Sequence, residues 1–245
     1  MLSGRSEPLP LLSMSAPSDS PSSACARLLS LAVHELRTPA SVVGGYLRML
    51  QRDSESPLSD RQRKMIDEAE KSCARMVALI AEMSEVSKFD SGAVSLGREQ
   101  LDLFALVGDV ANGVHESGER DVRLEVRGEG SGASVLGDPA RLKHAFDAVF
   151  RAVLREQPSA CVVVAERRIA KDGGGANSAV VVVAPDARVQ AAYEANPGVF
   201  DEKRGGMGLA LPLARRVIER HGGRIWAPED AGERGVAIVS IPLSE

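Results

Sequence analysis

Residues 26–50 read ARLLSLAVHELRTPASVVGGYLRML, and their pattern predicts the architecture of the N-terminal part of the chain. Its apolar side chains recur at spacings of three and four residues, at Leu28, Ala32, Leu36, Ala40, Val43, Leu47 and Leu50. That spacing matches the period of an α-helix and places these side chains in one stripe. The stretch therefore predicts an amphipathic helix of about 25 residues.

A second helix is predicted directly after a polar turn. Residues 53–60 read DSESPLSD and contain Pro57, which is typical of a break between helices. Apolar positions then resume at helical spacing, at Ile66, Ala69, Cys73, Met76, Ile80 and Met83. Ser59 or Asp60 is placed to cap the start of this helix, and Asp90-Ser91-Gly92 to end it. We therefore predict an antiparallel helical hairpin over residues 27–92.

The apolar stripes of this hairpin also predict an assembly. A single pair of helices cannot bury a two-sided apolar seam, and it needs a second pair to do so. A second copy of the chain supplies that pair through two-fold symmetry and completes a four-helix bundle. We therefore expect a homodimer.

The segments on either side of the hairpin differ from it in composition. Residues 1–26 hold eight Ser and four Pro without any period, which is typical of a disordered leader. From residue 98 onward, helix-like and strand-like segments follow one another without strict βαβ alternation, and residues 101–114 have a helical pattern. This mixture predicts an α+β sandwich over residues 98–245.

The overall composition excludes several classes of protein. The 245 residues carry a net charge of −4, whereas a general nucleic-acid-binding protein is strongly basic. Cys25, Cys73 and Cys161 form no C-x-x-C pair, so we expect no metal site and reduced thiols in a cytoplasmic protein. No apolar run approaches the roughly 20 residues of a membrane span, and no secretory signal is evident.

The string His34-Glu35-Leu36-Arg37-Thr38-Pro39 is the sharpest local feature of the sequence. His34 lies off the apolar stripe, and Thr38, four residues later, shares its face of the helix. An imidazole exposed to solvent can act as a nucleophile, and the neighbouring carboxylate of Glu35 can orient or deprotonate it. Pro39 is expected to bend the helix just after His34. A surface histidine without any chemistry is the alternative for His34 taken alone.

This six-residue string, on the first helix of a hairpin, closely resembles the phosphoacceptor motif of sensor histidine kinases of two-component systems. Four further segments resemble the same family in the same order. They are residues 88–92 (KFDSG) at the end of the second helix, 138–142 (DPARL) before an ATP-lobe helix, 206–211 (GMGLAL) at the second glycine box, and 221–226 (HGGRIW) after the last helix. The resemblance covers residues 27–245.

The resemblance implies a dimeric histidine hairpin joined to an ATP-binding α+β sandwich of the gyrase type. It makes His34 the phosphoacceptor and Glu35 the acid–base residue, and it makes Thr38 the residue that positions water for dephosphorylation of a regulator. It implies ATP and Mg²⁺ as cofactors, with Gly206 and Gly208 in the nucleotide loop. The implied partner is the receiver domain of a response regulator, whose aspartate exchanges phosphate with the histidine.

The ATP lobe departs from the family pattern at the positions that hold the nucleotide. The two Asn residues of the lobe helix correspond to Ala148 and Ala152, and a methyl group cannot ligate Mg²⁺. Asp147 is one residue away, but its position favours a pair with Arg151 instead. The adenine-binding Asp corresponds to Ala184, and both glycines of that box are missing. Loss of several such contacts predicts loss of ATP affinity.

Several functions therefore stay open at this stage. The first is a two-component protein of the histidine-kinase type that carries phosphate on His34 and exchanges it with a regulator aspartate. The second is a protein that does not bind ATP and acts either as a histidine phosphotransferase or as a regulator phosphatase. The third is a non-catalytic binding partner of a complete kinase, and it applies if His34 is never phosphorylated.

Overall fold

The computed structural model describes residues 21–53, 58–114, 121–171, 177–229 and 235–244. Most of the predicted leader, residues 1–20, lies outside these ranges. The first helix, α1 (Pro21–Arg52), begins inside the segment predicted as leader. Proline is well tolerated in the first turn of a helix, which explains why the helix can start there although the apolar stripe starts later.

The N-terminal unit is a hairpin of α1 and α2 (Asp60–Asp90). Of the two candidate caps in the sequence, Ser59 caps α2 through a capping box with Gln62, and Asp60 is the first residue of the helix. The Cys73 thiol is buried between the helices and donates to the Ala40 carbonyl at 3.2 Å. The helix ends at Asp90, and Gly92 adopts the positive φ (73°) that favours glycine after a helix.

The C-terminal unit begins with a short strand instead of a helix. The sequence predicts a helix over residues 101–114, but the first two of these residues belong to the strand β1 (Glu99–Asp102). The helix α3 (Leu103–Gly113) starts after it. The Asp102 carboxylate caps α3 by accepting from the Phe104 and Ala105 amides. β1 pairs in antiparallel fashion with β3 (Ser134–Gly137) in a small separate sheet.

A six-stranded sheet forms the centre of this unit. Its order is β2-β4-β5-β8-β7-β6, and all neighbouring pairs are antiparallel except the parallel pair β2 and β4. The strands are β2 (Val122–Gly128), β4 (Cys161–Lys171), β5 (Asn177–Pro185), β6 (Pro197–Gly198), β7 (Arg224–Pro228) and β8 (Ala237–Pro242). The sequence therefore predicted the fold class correctly as a helical hairpin followed by an α+β unit.

Helices cover the two faces of the sheet unequally. On the inner face, α3, α4 (Pro139–Arg155) and α6 (Ala210–Arg220) bury the main core, which includes Phe104, Phe146 and Phe150. On the outer face, the short helix α5 (Val189–Glu194) packs over a smaller cluster that contains Val164, Val182 and Ala184. Within the described ranges, no helix is both long and apolar enough to cross a lipid bilayer.

Candidate functional site

His34 lies on α1 with its side chain open to solvent. The imidazole is 79% exposed, and its Nδ1 atom lies 3.2 Å from Glu35 Oε1. Thr38, one turn later, is also exposed. If Nδ1 carries the proton and donates it to Glu35, Nε2 keeps a free lone pair that faces solvent. The geometry therefore presents an accessible nucleophile that a neighbouring carboxylate orients.

Pro39 lies inside α1, which continues through it to Arg52. Because proline has no N–H, the Glu35 carbonyl lacks its usual partner one turn later in the helix. The expected bend of the helix at this position stays a prediction.

The hairpin leaves much of its predicted apolar stripe uncovered in the single chain. Leu36, Val43 and Leu50 are each almost half exposed. Neighbouring apolar side chains on both helices are also exposed, namely Leu28, Leu31, Val42, Tyr46, Met49, Met65, Met76 and Val77. An apolar surface of this extent on paired helices is typical of a face that another protein covers.

A cavity of about 440 Å³ lies where α2, α4 and α6 meet, beside one of the positions predicted to bind the nucleotide. Ala148 lines it with a methyl group, and Asp147 lines it with a carboxylate. Arg151 donates to both oxygens of that carboxylate, at 2.9 and 3.0 Å, as the helical spacing predicts. The carboxylate is thus engaged within α4.

The glycine segment before α6 lies directly against α4. Ala152, which corresponds to the second Asn of the family's ATP-lobe helix, is only 1% exposed. A Cβ atom built on Gly205 would lie 2.8 Å from the Ala152 Cα atom, and Gly205 has a positive φ of 66°. Only glycine permits this close approach together with this backbone conformation. The loop therefore covers the position at which a metal-binding side chain would have to stand.

The start of α6 is bound by a residue of the hairpin. The Leu209 amide donates to Glu82 Oε2 of α2 at 3.0 Å. Gly208, at φ 64°, lies so near that a Cβ atom there would come 2.9 Å from Leu79 Cδ2. Of the two predicted loop residues, Gly208 thus contacts the hairpin, whereas a Cβ atom on Gly206 would meet nothing within 4 Å. Free amides at a helix start can bind phosphate, and here a carboxylate takes one of them.

The segment that follows β5 leads away from this cavity. Ala184, at the position of the adenine-binding Asp, is fully buried in the outer cluster. Asp186 pairs with Arg127 of β2 at 2.5 Å, and α5 then packs on the outer face of the sheet. Asp186 is therefore not placed to act as the missing adenine-binding residue.

Three polar contacts fasten the end of α2 to the C-terminal unit. Arg141 donates to Glu85 at 3.1 Å, and Arg216 donates to both oxygens of Asp90 at 2.6 and 3.0 Å. Arg220 donates to the Phe89 carbonyl at 2.9 Å. A hydrogen bond from Lys88 lowers the pKa of Glu85, burial opposes this effect, and the bond from Arg141 lowers the pKa further.

The sequence did not identify Glu82 and Glu85 as functional positions, and it identified Arg141 only as part of the segment 138–142, without a contact to the hairpin. Each is a charged residue on an amphipathic helix, where an exposed surface position is the ordinary expectation. Their importance depends on how the two units meet, and no local sequence pattern records that contact.

Comparison with known proteins places the hairpin in a described family. Residues 26–92 match the His Kinase A (phospho-acceptor) domain. The circadian input-output histidine kinase CikA of Synechococcus elongatus is 26% identical over 219 residues, which cover 85% of this chain and 29% of CikA. Sensor histidine kinase GacS of Pseudomonas protegens is 28% identical over 228 residues, which cover 86% of this chain and 24% of GacS. The chain thus spans less than a third of these two relatives.

Two solved structures share the architecture. Full-length ShkA in complex with AMPPNP superposes with a TM-score of 0.62 at 20% identity, over 89% of this chain and 46% of ShkA. The histidine kinase AdeS of Acinetobacter baumannii superposes with a TM-score of 0.53 at 16% identity, over 86% of this chain and 98% of AdeS. These likenesses confirm the fold of a helical hairpin followed by an α+β unit.

Proposed function

We propose, on the premise that this chain belongs to the sensor histidine kinase family of two-component systems, that it transfers phosphate through His34 without using ATP of its own. In this proposal His34 takes a phosphoryl group from the aspartate of a response-regulator receiver domain and returns it to such an aspartate. The observation that carries the proposal is the 79% exposed imidazole beside the Glu35 carboxylate.

The transfer step follows from the geometry at His34. Before the attack, Nδ1 keeps its proton and donates a hydrogen bond to Glu35, which leaves the Nε2 lone pair free to attack the phosphorus atom of an aspartyl phosphate. The N–P bond forms as the P–O bond to the aspartate breaks, and the aspartate leaves as a carboxylate. Glu35 then takes the Nδ1 proton from the positively charged phosphoimidazole. The reverse sequence returns the phosphoryl group to an aspartate.

The residues at the predicted nucleotide site do not fit Mg²⁺ and ATP. Mg²⁺ requires oxygen ligands in near-octahedral geometry, and Ala148 and Ala152 supply none. The Leu209 amide, which would face a phosphate, is bound to Glu82. We therefore assign the C-terminal unit a structural role in which it holds the hairpin, and we derive no catalytic step through ATP.

Phosphotransfer from purified receiver domains tests the proposal. Receiver domains encoded in the same genome, phosphorylated with radiolabelled acetyl phosphate, are mixed with the protein. We expect acid-labile label on the wild-type chain and on His144→Gln, which removes another exposed histidine, but none on His34→Gln. Labelling of His34→Gln equal to wild type would overturn the proposal.

A titration with Mg-ATP in a calorimeter tests the ATP-independent part separately. We expect no saturable heat up to millimolar nucleotide. Micromolar binding followed by labelling of His34 from ATP would instead establish an ordinary histidine kinase and contradict this part of the proposal.

Thr38 favours a second candidate function, the dephosphorylation of a regulator. Its hydroxyl is exposed one turn from His34, where it can position a water molecule against a docked aspartyl phosphate. A Thr38→Ala variant that loses regulator dephosphorylation but keeps label on His34 would support this function. If no donor phosphorylates His34 and no regulator is dephosphorylated, only the role of a binding partner of a complete kinase remains.

We also propose that the working form is a homodimer joined through the hairpins. The exposed Leu36, Val43 and Leu50 supply an apolar surface that a second hairpin can cover, as in a four-helix bundle.

A further inference from the structure

A second cavity, of about 360 Å³, lies on the outer face of the six-stranded sheet. Its floor consists of Val180 of β5 and Ile238 of β8, which belong to the outer apolar cluster. Ser178 and Ser240 add hydroxyl groups, and Ser178 is only 1% exposed. This volume is at the lower end of the range of small-molecule sites.

Aromatic side chains form two sides of this cavity. Trp226 projects from β7, and Tyr193 projects from the end of α5, next to Pro197. The Arg168 guanidinium lies 4.7 Å from the centre of the Tyr193 ring and also pairs with Glu166, so the tyrosine is held in place. Aromatic walls around an apolar floor suit a flat ring.

The rim of the cavity is positively charged. Lys171 and Arg224 both line it, and the Arg224 guanidinium lies 5.4 Å from the centre of the Trp226 ring. No Asp or Glu is present among the described residues that line it. Within the part of the chain that the structure describes, no carboxylate on the cavity lining faces these two positive charges, and they favour an anion at this place.

We propose that this cavity, here named the outer-face pocket, binds a small planar aromatic compound that carries one anionic group. The ring lies on the apolar floor between Trp226 and Tyr193. The carboxylate or phosphate of the compound accepts hydrogen bonds from Arg224 and Lys171. The proposal is independent of phosphotransfer through His34, which lies on the hairpin.

The outer-face pocket is separate from the cavity between α4 and α6. Val180 and Ile238 face the outer cluster, whereas the adjacent Val181 and Val239 face the inner core beneath those helices. Side chains alternate along a strand, so the sheet itself stands between the two cavities. A compound in the outer-face pocket therefore does not compete with a nucleotide between α4 and α6.

The single tryptophan of the chain provides the readout, because Trp226 lines the pocket. The probes are 2-naphthoate, a ring with a carboxylate, and adenosine 5′-monophosphate, a ring with a phosphate. The controls are 2-naphthylmethanol, which lacks the charge, and acetate and inorganic phosphate, which lack the ring. Binding is followed as the shift of the one indole N–H signal in ¹H–¹⁵N spectra.

We expect at least one charged aromatic probe to shift the indole signal in a saturable way, and the corresponding control compounds to bind at least about tenfold more weakly. Arg224→Gln should weaken binding of that probe by about tenfold, the effect of losing one charge-assisted hydrogen bond. Arg123→Gln, which removes an exposed cation from β2, should leave it unchanged.

Three results would overturn the proposal. The first is no saturable shift with either charged probe. The second is equal binding of charged and uncharged rings, and the third is binding that Arg224→Gln leaves intact. Lys171→Gln serves as a second test if Arg224→Gln unfolds at a lower denaturant concentration than wild type. If only one of the two charged probes binds, its anionic group, the carboxylate of 2-naphthoate or the phosphate of the monophosphate, is the one that the pocket prefers.

Discussion

The Glu82 carboxylate accepts a hydrogen bond from the amide of Leu209, the residue just before α6, and this contact supports the proposed loss of ATP use at the level of single residues. In a nucleotide-binding protein, a bound phosphate would accept a hydrogen bond from the same amide. The Glu82 carboxylate can take its place because carboxylate and phosphate are both anions, which a helix N-terminus favours. Glu82 is supplied by the hairpin, so the contact also links the two units. Its removal should therefore affect stability without any nucleotide present.

We expect Glu82→Ala to lower the free energy of unfolding by about 1–2 kcal/mol, since it removes a capping hydrogen bond from a half-buried amide. Urea titration followed by far-UV circular dichroism measures the change. Glu68→Ala is the control, because Glu68 lies on the same helix in an exposed pair with Lys71. Equal effects of the two variants would show that the contact with Leu209 contributes nothing.

Asp138, which caps α4, gives a prediction for acid stability. Burial opposes its ionisation, but hydrogen bonds from the Arg141 and Gly97 amides and the nearby charges of Arg141 and His221 hold its pKa below the usual value. A depressed pKa in the folded state stabilises the protein at pH values above the unfolded pKa of about 3.9. This stabilisation is lost as the pH falls through the folded pKa.

We expect Asp138→Asn to lower stability by about 1 kcal/mol at pH 7, because asparagine caps a helix but lacks the charge. The difference from wild type should shrink as the pH falls below 4. Chemical unfolding at a series of pH values between 2.5 and 7 measures it. A difference that is constant over this range would contradict the role of the ionised carboxylate.

At the scale of elements, the contact between α4 and the Gly205 loop decides whether the nucleotide site can be restored. The loop backbone lies against Ala152, so a longer side chain there has no room. We expect Ala152→Asn to lower stability by about 1–3 kcal/mol through overpacking and to leave Mg-ATP binding undetectable. Thermal unfolding and calorimetry measure the two effects.

Ala140→Asn is the matched control for this substitution, since Ala140 is exposed on the first turn of the same helix. It should change stability only slightly. If Ala152→Asn is as stable as wild type and binds Mg-ATP, the loop must move easily, and the absence of an Asn ligand alone would explain the loss of binding.

The pair Glu85–Arg141 joins α2 to α4, and both side chains are about one third exposed. We expect a double-mutant cycle with Glu85→Gln and Arg141→Gln to give a coupling energy of about 0.5–1 kcal/mol, which falls as salt is added. The cycle is measured by denaturant unfolding at low and at high ionic strength. Additive effects at low salt would mean that this pair does not hold the two units together.

The sequence predicts helices and strands correctly where the pattern of apolar residues is strong. The prediction fails where contacts between distant elements determine the structure. The stripe through Ala40 and Cys73 predicts the hairpin, because helical spacing is a local property. The strand at Glu99–Asp102 is missed, since its partner β3 is distant in sequence. The substitutions Ala148 and Ala184 indicate a damaged site, whereas closure by Gly205 and Glu82 depends on the packing of separate segments.

At the scale of the whole molecule, the uncovered stripe on the hairpin predicts the assembly state. We expect light scattering to give the mass of a dimer, and Val43→Glu or Leu50→Glu to give a monomer, since each places a charge in the dimer seam. Leu136→Glu is the control, because Leu136 is equally exposed but lies in the C-terminal unit. A monomeric wild-type protein would contradict the four-helix bundle.

The two outer strands of the large sheet have a consequence for behaviour at high concentration. One edge strand, β2, carries the charged residues Arg123, Glu125 and Arg127 on its exposed positions. The other, β6, has two residues and begins with Pro197, which offers no N–H. Charges and proline discourage the pairing of further strands, so neither border of the sheet is a good template for amyloid-like growth. We therefore expect these two strands to contribute little to aggregation of the folded protein at high concentration.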